Sequence, residues 1–269
     1  MKLHFREVGE ATDPPMIILH GLFGSSDNWL TISKSIAALG YRVIMVDQRN
    51  HGQSPQSDDH SYPDMAADLH ELILDLDLKK PILVGHSMGG KTVMQYAMTF
   101  PNLGSPNAFS KLVVVDIAPK FYPVHHSEIL RGLAAIDLHG LKTRNEADDM
   151  LKQYEPIPAV RQFLLKNLYR ENTPDGSVAF NWRLNLPVIA REIHGIGDEL
   201  TDMQPVPEPT LFIRGERSPY ILDSDWPGVI RLFPNAKLVT IEGAGHWVQA
   251  EKPVEFVEAL RNFLMNNVQ

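Results

Sequence analysis

The stretch PILVGHSMGGKTVMQYAM, residues 81–98, decides the fold class. Its apolar beginning predicts a strand and its end predicts a helix, so the motif Gly85-His86-Ser87-Met88-Gly89 falls at the turn between them. A serine at such a tight turn is forced outward, and the flanking glycines are needed because a side chain there would collide with neighbouring backbone. The turn also brings Ser87 to a helix N-terminus, where unpaired N–H groups favour a developing negative charge. We therefore predict that Ser87 is a nucleophile; the alternative is a helix-capping serine in a glycine-rich turn.

Short apolar runs like the one before Ser87 recur along the chain. Each is too short for a helix, and together they are typical of strands covered on both faces of a parallel sheet. The runs are MIIL (16–19), RVIMV (42–46), PILV (81–84), KLVVV (111–115), PTLFI (209–213) and AKLVTI (236–241). The opening KLHFREV (2–8) alternates and predicts an edge strand or half of a hairpin. Helical patterns cover 64–77, after Ser61, and 254–265, after Pro253. This order predicts an α/β fold with a mostly parallel, doubly wound sheet flanked by helices.

Between residues 120 and 205 the short apolar runs that predict strands no longer recur. The candidate helices there are 127–135, 145–154, 158–170 and 187–196, and the stretch holds a turn-like TPDG (173–176) and ends at QPVPEP (204–209). We predict a core of 1–119 and 206–269 with an inserted helical cap of 120–205. The alternative is a second small domain with no part in catalysis. A cap is favoured because the segment follows a strand whose end carries Asp116.

Composition excludes several classes of protein. The 269 residues include no cysteine, which excludes a disulfide framework, thiolate metal sites and a thiol nucleophile. The net charge is −8, from 25 Lys and Arg against 33 Asp and Glu, so no nucleic-acid partner is expected. No run approaches the roughly 20 apolar residues of a membrane helix, and MKLHFREVGEA at the start has no signal-peptide core. We expect a cytoplasmic protein with no membrane partner.

A serine nucleophile needs a base, and His246 is the best placed of eleven histidines. It follows the predicted strand AKLVTI and the turn EGAG, so its loop lies at the same rim as Ser87. The competitors His20 and His51 lie in loops of that rim and are expected to order them. His86 neighbours Ser87 in the chain and is expected to point elsewhere.

The base needs an acidic partner that holds its tautomer and stabilises its charged form. Asp116 ends the strand KLVVV, and Glu216 lies in the loop RGERSPYI (214–221) after the next one. We favour Asp116 and leave Glu216 open. Ser218 in the same loop can form hydrogen bonds, but it cannot stabilise an imidazolium as a carboxylate does.

Two further loops belong to this rim. HGLFG (20–24) follows the strand MIIL, and its glycines let backbone N–H groups approach an oxyanion. The predicted donors are the amides of Leu22 and Met88, with Phe23 as an alternative to Leu22. DQRNHGQS (47–54) is expected to brace the rim, while anion binding by Arg49 is the less favoured alternative.

No cofactor and no metal are predicted. The chain has no G-x-G-x-x-G motif after its first strand and no P-loop. The adjacent pair His125-His126 lacks carboxylates at ligand spacing.

Five stretches together, in this order, resemble the α/β-hydrolase fold superfamily. They are HGLFGS (20–25), DQRNHGQS (47–54), GHSMGG (85–90), RGERSPYI (214–221) and GAGHWVQAEKP (243–253). HGLFGSSDNW with DQRNHGQS is similar to small bacterial esterases of the YbfF type and to mitochondrial abhydrolase-domain esterases. The resemblance implies Ser87 as nucleophile, His246 as base and Leu22 and Met88 as oxyanion donors. In the YbfF-like branch the acid follows the strand that here ends at Asp116, with a serine like Ser218 nearby.

These observations predict a cofactor-independent serine hydrolase acting on small carboxylic esters or thioesters. Ser87 attacks the acyl carbon, His246 moves the proton, Asp116 orients His246, and water releases the acyl group. The cap selects a short to medium acyl chain. The residues expected to bind substrate are Phe23, Phe121, Tyr122, Trp182 and Ser218, beside Leu22 and Met88.

Other functions remain open at this point. The same triad could catalyse C–C bond hydrolysis or perhydrolysis. A ligand-binding module that turns over too slowly to matter is a further alternative, although a receptor needs no triad or oxyanion loop. Haloalkane dehalogenase and epoxide hydrolase chemistry is excluded because those enzymes need a carboxylate at position 87. The oligomeric state is left open.

Overall fold

A computed structural model describes residues 1–100, 108–172, 178–200 and 204–265. The strands are β1 (Phe5–Val8), β2 (Pro15–Leu19), β3 (Arg42–Val46), β4 (Ile82–His86), β5 (Lys111–Val115), β6 (Leu168–Asn172), β7 (Val178–Trp182), β8 (Thr210–Gly215) and β9 (Ala236–Ile241). The helices are α1 (Leu30–Ala37), α2 (Tyr62–Asp75), α3 (Met88–Thr99), α4 (Ser127–Ala134), α5 (Arg144–Leu151), α6 (Pro158–Leu165), α7 (Leu186–Gly197), α8 (Trp226–Leu232), α9 (Val248–Glu251) and α10 (Pro253–Met265). Short 3-10 turns cover Ser26–Trp29 and Asp223–Asp225.

The apolar runs all become strands of one sheet, which has seven strands in the described part of the chain. Their order is β1-β3-β2-β4-β5-β8-β9, with β1 antiparallel to β3 and every other pair parallel. The register places Leu19 beside Gly85 and Val115 beside both His86 and Ile213. The carboxyl ends of the central strands therefore meet at one edge, where ligands bind in open α/β sheets.

Helices cover both faces of this sheet, as the continuous apolarity of the strands predicts. Side chains alternate along a strand, so Ile44 and Val46 join one buried cluster while Val43 and Met45 join another. The first cluster includes residues of α2, α3 and α8, and the second includes residues of α1 and α10. The sheet is thus the middle layer of three.

The two predicted helix starts are confirmed. The Ser61 side chain caps α2 by accepting a 3.3 Å hydrogen bond from the Asp64 amide, and α10 begins at Pro253. Among the described helices, none combines the length and apolarity that crossing a bilayer requires.

The segment between β5 and β8 holds helices α4 to α7, but its prediction as a strandless stretch is wrong. Helix α6 ends at Leu165 instead of reaching residue 170, and β6 pairs with β7 as an antiparallel hairpin. In β7, buried Phe180 and Trp182 flank exposed Asn181, which is the period of two that a strand requires. The predicted turn at 173–176 lies outside the described residues.

The inserted segment packs onto the sheet through the first of the two buried clusters. Leu133, Leu164, Phe180 and Ile189 belong to the same cluster as the residues of α2 and α3. Its division from the core at residues 120 and 205 stays a prediction.

Candidate active site

Ser87 occupies a strained turn between β4 and α3. Its backbone φ of 52° and ψ of −117° lie in a region that non-glycine residues rarely adopt. Its amide donates to Val115 O at 3.0 Å, which ties the turn to the neighbouring strand β5. A Cβ at Gly85 would lie 2.1 Å from Gly89 O, and one at Gly89 would lie 2.5 Å from Leu19 O. The predicted need for both flanking glycines is thus explained by backbone contact.

His246 is bonded to Asp116 at the same edge of the sheet. Its Nδ1–H donates to Asp116 Oδ2 at 2.7 Å, which leaves Nε2 available to another partner. The carboxylate is fully buried, and it also accepts from the Gly215 amide at 3.1 Å and from the Ser218 hydroxyl. Glu216 is engaged elsewhere, because its carboxylate accepts from the Gly243 amide at 2.8 Å. Of the two acids that the sequence left open, the structure joins Asp116 to His246.

Two neighbouring rings hold His246 in place. The Tyr220 ring stacks on the imidazole with centroids 4.0 Å apart. His86 Nε2–H donates to the carbonyl of His246 at 2.9 Å. Burial lowers the pKa of His86 to about 3, so this ring is neutral at pH 7. His86 therefore orients the loop of His246, although its ring also lines the large cavity beside Ser87 and His246.

The other two competing histidines also order loops. His20 Nε2 accepts from the Gln48 amide at 3.0 Å, and His51 Nε2 accepts from the Phe23 amide at 3.3 Å. Burial lowers the pKa of both rings, which keeps them neutral acceptors at pH 7. The Phe23 amide is thus already used, so Leu22 is the better candidate of the two predicted alternatives, and its role as an oxyanion donor stays a prediction. Within the described residues, the amides of Leu22 and Met88 have no protein acceptor.

The loop after β3 braces this arrangement. Asp47 accepts from the amides of Ser26 at 2.6 Å and Gln53 at 2.8 Å. Arg49 pairs with Asp68 at 2.7 Å, and both side chains are buried. The Arg49 guanidinium is therefore held inside the protein, which argues against its use for a substrate anion.

Two cavities meet at Ser87. The larger one has a volume of about 760 Å³ and is lined by Ser87 and His246. The smaller one has a volume of about 30 Å³ and is lined by Ser87 and Met88, and Leu22 lines both. Within the described residues, no hydrogen bond joins Ser87 Oγ to the His246 ring. The structure brings the two side chains to one cavity wall.

Of the five residues predicted to bind substrate, two line the cavities at Ser87 and three lie elsewhere. Phe23 lines the large cavity and Tyr122 lines the small one. Phe121 is 57% exposed, Trp182 is buried in the β6-β7 hairpin, and Ser218 donates to Asp116. These three are outside the described lining of both cavities. The structure therefore places these three away from both cavities, since a chain position near the site does not fix the direction of a side chain, and their contact with substrate stays a prediction.

Several residues of the site were missed from the sequence. His126 lines both cavities, and burial lowers the pKa of its ring to about 4. Phe163 and Trp247 form part of the large cavity, and their rings lie 5.5 Å apart. Lys91 is buried one turn after Ser87, and a lysine within the apolar stretch GKTVMQYAM is the signal that could have revealed it. The described residues contain no group of three His, Asp or Glu placed to hold a metal ion.

Comparison with known proteins assigns the family. The family model for the alpha/beta hydrolase fold matches residues 14–253, and the chain belongs to this family. It is 36% identical to esterase YbfF of Escherichia coli (strain K12) over 269 residues, which cover 98% of this chain and 99% of that protein. It is 38% identical to the sn-1-specific diacylglycerol lipase ABHD11 of Xenopus laevis over 263 residues, 95% of this chain and 81% of the relative. A solved structure, a marine microorganism esterase, matches with a TM-score of 0.90 and 42% identity over 97% of this chain and 99% of the other.

These matches confirm the predicted α/β-hydrolase fold and the likeness to YbfF-type esterases.

Proposed function

We propose that the protein is a serine hydrolase that cleaves carboxylic esters or thioesters with a short to medium acyl chain, without a cofactor. The observation that carries the proposal is the buried Asp116–His246 hydrogen bond at the cavity into which the strained Ser87 turn opens. The names of the similar proteins, two esterases and a lipase, support ester bonds as the target.

The reaction begins when Ser87 Oγ attacks the acyl carbon. His246 Nε2 takes the hydroxyl proton, while Asp116 holds the ring through Nδ1 and stabilises its positive charge. Hydrogen bonds between serine and base are often long without substrate and shorten in the reacting complex. The tetrahedral oxygen carries the negative charge, and in this proposal the amides of Leu22 and Met88 donate to it.

The intermediate then collapses. The bond from the acyl carbon to the leaving oxygen or sulfur breaks, and the leaving group takes the proton from His246. An acyl group remains on Ser87. Water then attacks this acyl-enzyme with His246 as base, which releases the acid and restores the serine hydroxyl. The inserted segment 120–205 acts in this proposal as a cap over Ser87, and a cytoplasmic location is part of the proposal.

A series of p-nitrophenyl esters of increasing acyl length tests the mechanism. Ser87→Ala should lower kcat by at least ~10⁴-fold, because the loss of the nucleophile leaves only binding and oxyanion contacts. Ser35→Ala, an exposed serine on α1, is the matched control and should act like the wild type. Normal turnover by Ser87→Ala would overturn the serine mechanism. Tight binding of an ester without turnover by the wild type would instead favour a ligand-binding module.

A further inference from the structure

The two cavities at Ser87 differ in which parts of the proposed catalytic machinery reach them. His246 lines the large cavity and is absent from the described lining of the small one. Met88 shows the opposite distribution, and Leu22 lines both. His246 and Met88 therefore face different cavities, and Leu22 borders both. If Ser87 reacts as proposed above, this asymmetry fixes where each part of a substrate must go.

The leaving group belongs in the large cavity. It receives its proton from His246, so its oxygen or sulfur must lie within hydrogen-bond reach of that ring. The large cavity also has space for a bulky group, with Phe163 and Trp247 as apolar walls. Its described lining includes charged side chains, Glu155 and Lys166, which suit a leaving group with polar substituents.

The acyl group belongs in the small cavity. A tetrahedral acyl carbon carries four substituents: Ser87 Oγ, the oxyanion at the amides of Leu22 and Met88, the leaving group and the acyl chain. Once Ser87 Oγ, the oxyanion and the leaving group have their positions, the acyl chain must point toward the remaining side of Ser87. That side is the small cavity, whose walls are mainly apolar. They include Ile117, Tyr122, Val124, Ile193 and Ile196.

The small cavity limits the length of that chain. Its volume of about 30 Å³ compares with about 760 Å³ for the large cavity, so it has room for a short chain only.

Its wall is also held firmly. Lys91 Nζ donates to Gly197 O at 3.1 Å and to Asp198 O, and it lies 4.9 Å from the centre of the Tyr122 ring. A Cβ at Gly197 would lie 2.2 Å from Tyr122 O, so the end of α7 and the chain near Tyr122 are already in contact. The wall has little room to move outward.

We infer that the protein selects esters or thioesters of two- and three-carbon acids, whose acyl group fills the small cavity, while the large cavity takes a bulky alcohol or thiol. Ile193 and Ile196 on α7 set the acyl length. This inference rests on the proposed function and narrows its range of acyl chains.

Two series of esters test the inference. In the first, the alcohol is p-nitrophenol and the acid grows from acetate to octanoate; in the second, the acid is acetate and the alcohol grows from ethanol to naphthol. The wild type should show its highest kcat/KM at acetate or propionate, with a fall of about tenfold or more at hexanoate. It should accept the bulky alcohols of the second series.

Substitutions then separate the two cavities. Ile193→Ala should shift the preferred acid to butanoate or longer. Ile196→Ala, at a partly buried position, should do the same if Ile193→Ala fails to fold. Phe163→Ala in the large cavity is the control: it should leave the acyl preference unchanged and alter KM for naphthyl acetate.

A wild-type preference for hexanoate or octanoate would overturn the inference, as would a shift of acyl preference in Phe163→Ala. Either result would leave the serine mechanism intact provided that Ser87→Ala abolishes turnover. Turnover by Ser87→Ala would end both proposals together.

Discussion

The edge of the sheet and the inserted segment contribute to the same cavities by different means. At the edge, backbone hydrogen bonds continue the strands: the Ser87 amide donates to Val115 O at 3.0 Å, and the Asp116 amide donates to Ile213 O at 2.8 Å. Both residues have positive φ, at 52° and 51°. Such strained backbone persists only where its surroundings over-determine it.

The inserted segment meets the loop HGLFG (20–24) and α3 through individual side-chain hydrogen bonds. Asn167 Nδ2 donates to Phe23 O at 2.7 Å, and Lys91 Nζ donates to Gly197 O. The backbone hydrogen bonds between strands remain when one side chain is removed, whereas a side-chain hydrogen bond is lost with its side chain. Changes at the edge should therefore affect the chemical step, and changes in the segment should affect substrate fit and stability.

After Ser87→Ala, the largest effect is expected at the edge, from Asp116→Asn. An amide at position 116 no longer stabilises the imidazolium and favours the wrong tautomer of His246, so kcat should fall by up to ~10⁴-fold. The melting temperature and the steady-state kinetics of both proteins would be compared.

Glu216→Gln is the matched control for this change. Its carboxylate accepts from the Gly243 amide and is not joined to His246, so kcat should stay near the wild-type value. A large loss of kcat in Glu216→Gln with normal turnover in Asp116→Asn would reverse the assignment of the acid.

A smaller effect is expected from Asn167→Ala, which removes the hydrogen bond from the inserted segment to the loop HGLFG (20–24). Asn167 is 3% exposed, so the Phe23 carbonyl loses a buried donor. The free energy of unfolding should fall by about 1–3 kcal/mol. KM should rise by a larger factor than kcat falls, because the backbone hydrogen bonds that hold Ser87 and Asp116 at the sheet edge are unchanged.

Denaturant unfolding and ester kinetics would measure these changes. Asn172→Ala, exposed on β6, provides the control and should alter neither. A loss confined to kcat would mean that Asn167 supports the chemical step and would contradict the division between the two regions.

The smallest effect is a dependence of stability on pH that comes from Lys91. Burial lowers the pKa of its ammonium group from 10.5 to about 7. The charged and titratable groups around it are Tyr62 on α2, Tyr122, Asp198 and Glu199. Between pH 7 and 10.5 the unfolded chain holds this proton and the folded chain does not. Stability relative to Lys91→Met should therefore rise with pH across this window, by at most about 1.4 kcal/mol per pH unit.

Urea unfolding of both proteins at several pH values would measure this slope. Lys34→Met, at an exposed position on α1, should show no such slope relative to the wild type. A difference between wild type and Lys91→Met that stays constant from pH 7 to 10 would mean that Lys91 remains charged in the folded protein.

Much of the candidate site could be predicted from the sequence because its residues stand at strand ends. Ser87, Asp116 and His246 each follow an apolar run, and parallel strands bring their carboxyl ends to one edge. The sequence favoured Asp116 but could not exclude Glu216, since both follow strands that end there. The choice depended on side-chain direction, which the hydrogen bond from His246 to the buried Asp116 carboxylate shows.

The inserted segment was predicted less well. The pattern at 158–170 predicted one helix, but tertiary packing turned its end into strand β6, paired with β7. Phe121 and Trp182 were expected at the substrate because they are aromatic and lie in this segment. In the structure Phe121 faces solvent and Trp182 packs in the hairpin. The sequence could not predict these positions, because hydrophobicity alone does not say which apolar surface a side chain will cover.

The sheet, the turn at Ser87 and the edge to which Ser87, Asp116 and His246 come are encoded locally, because they follow from periodicity and from glycines that a backbone contact demands. Packing between distant parts of the chain sets which acid reaches His246, that two cavities meet at the serine, and how small one of them is. These features depend on packing between residues far apart in the chain, such as Lys91 with Gly197 and Tyr122, and no local pattern encodes such distances.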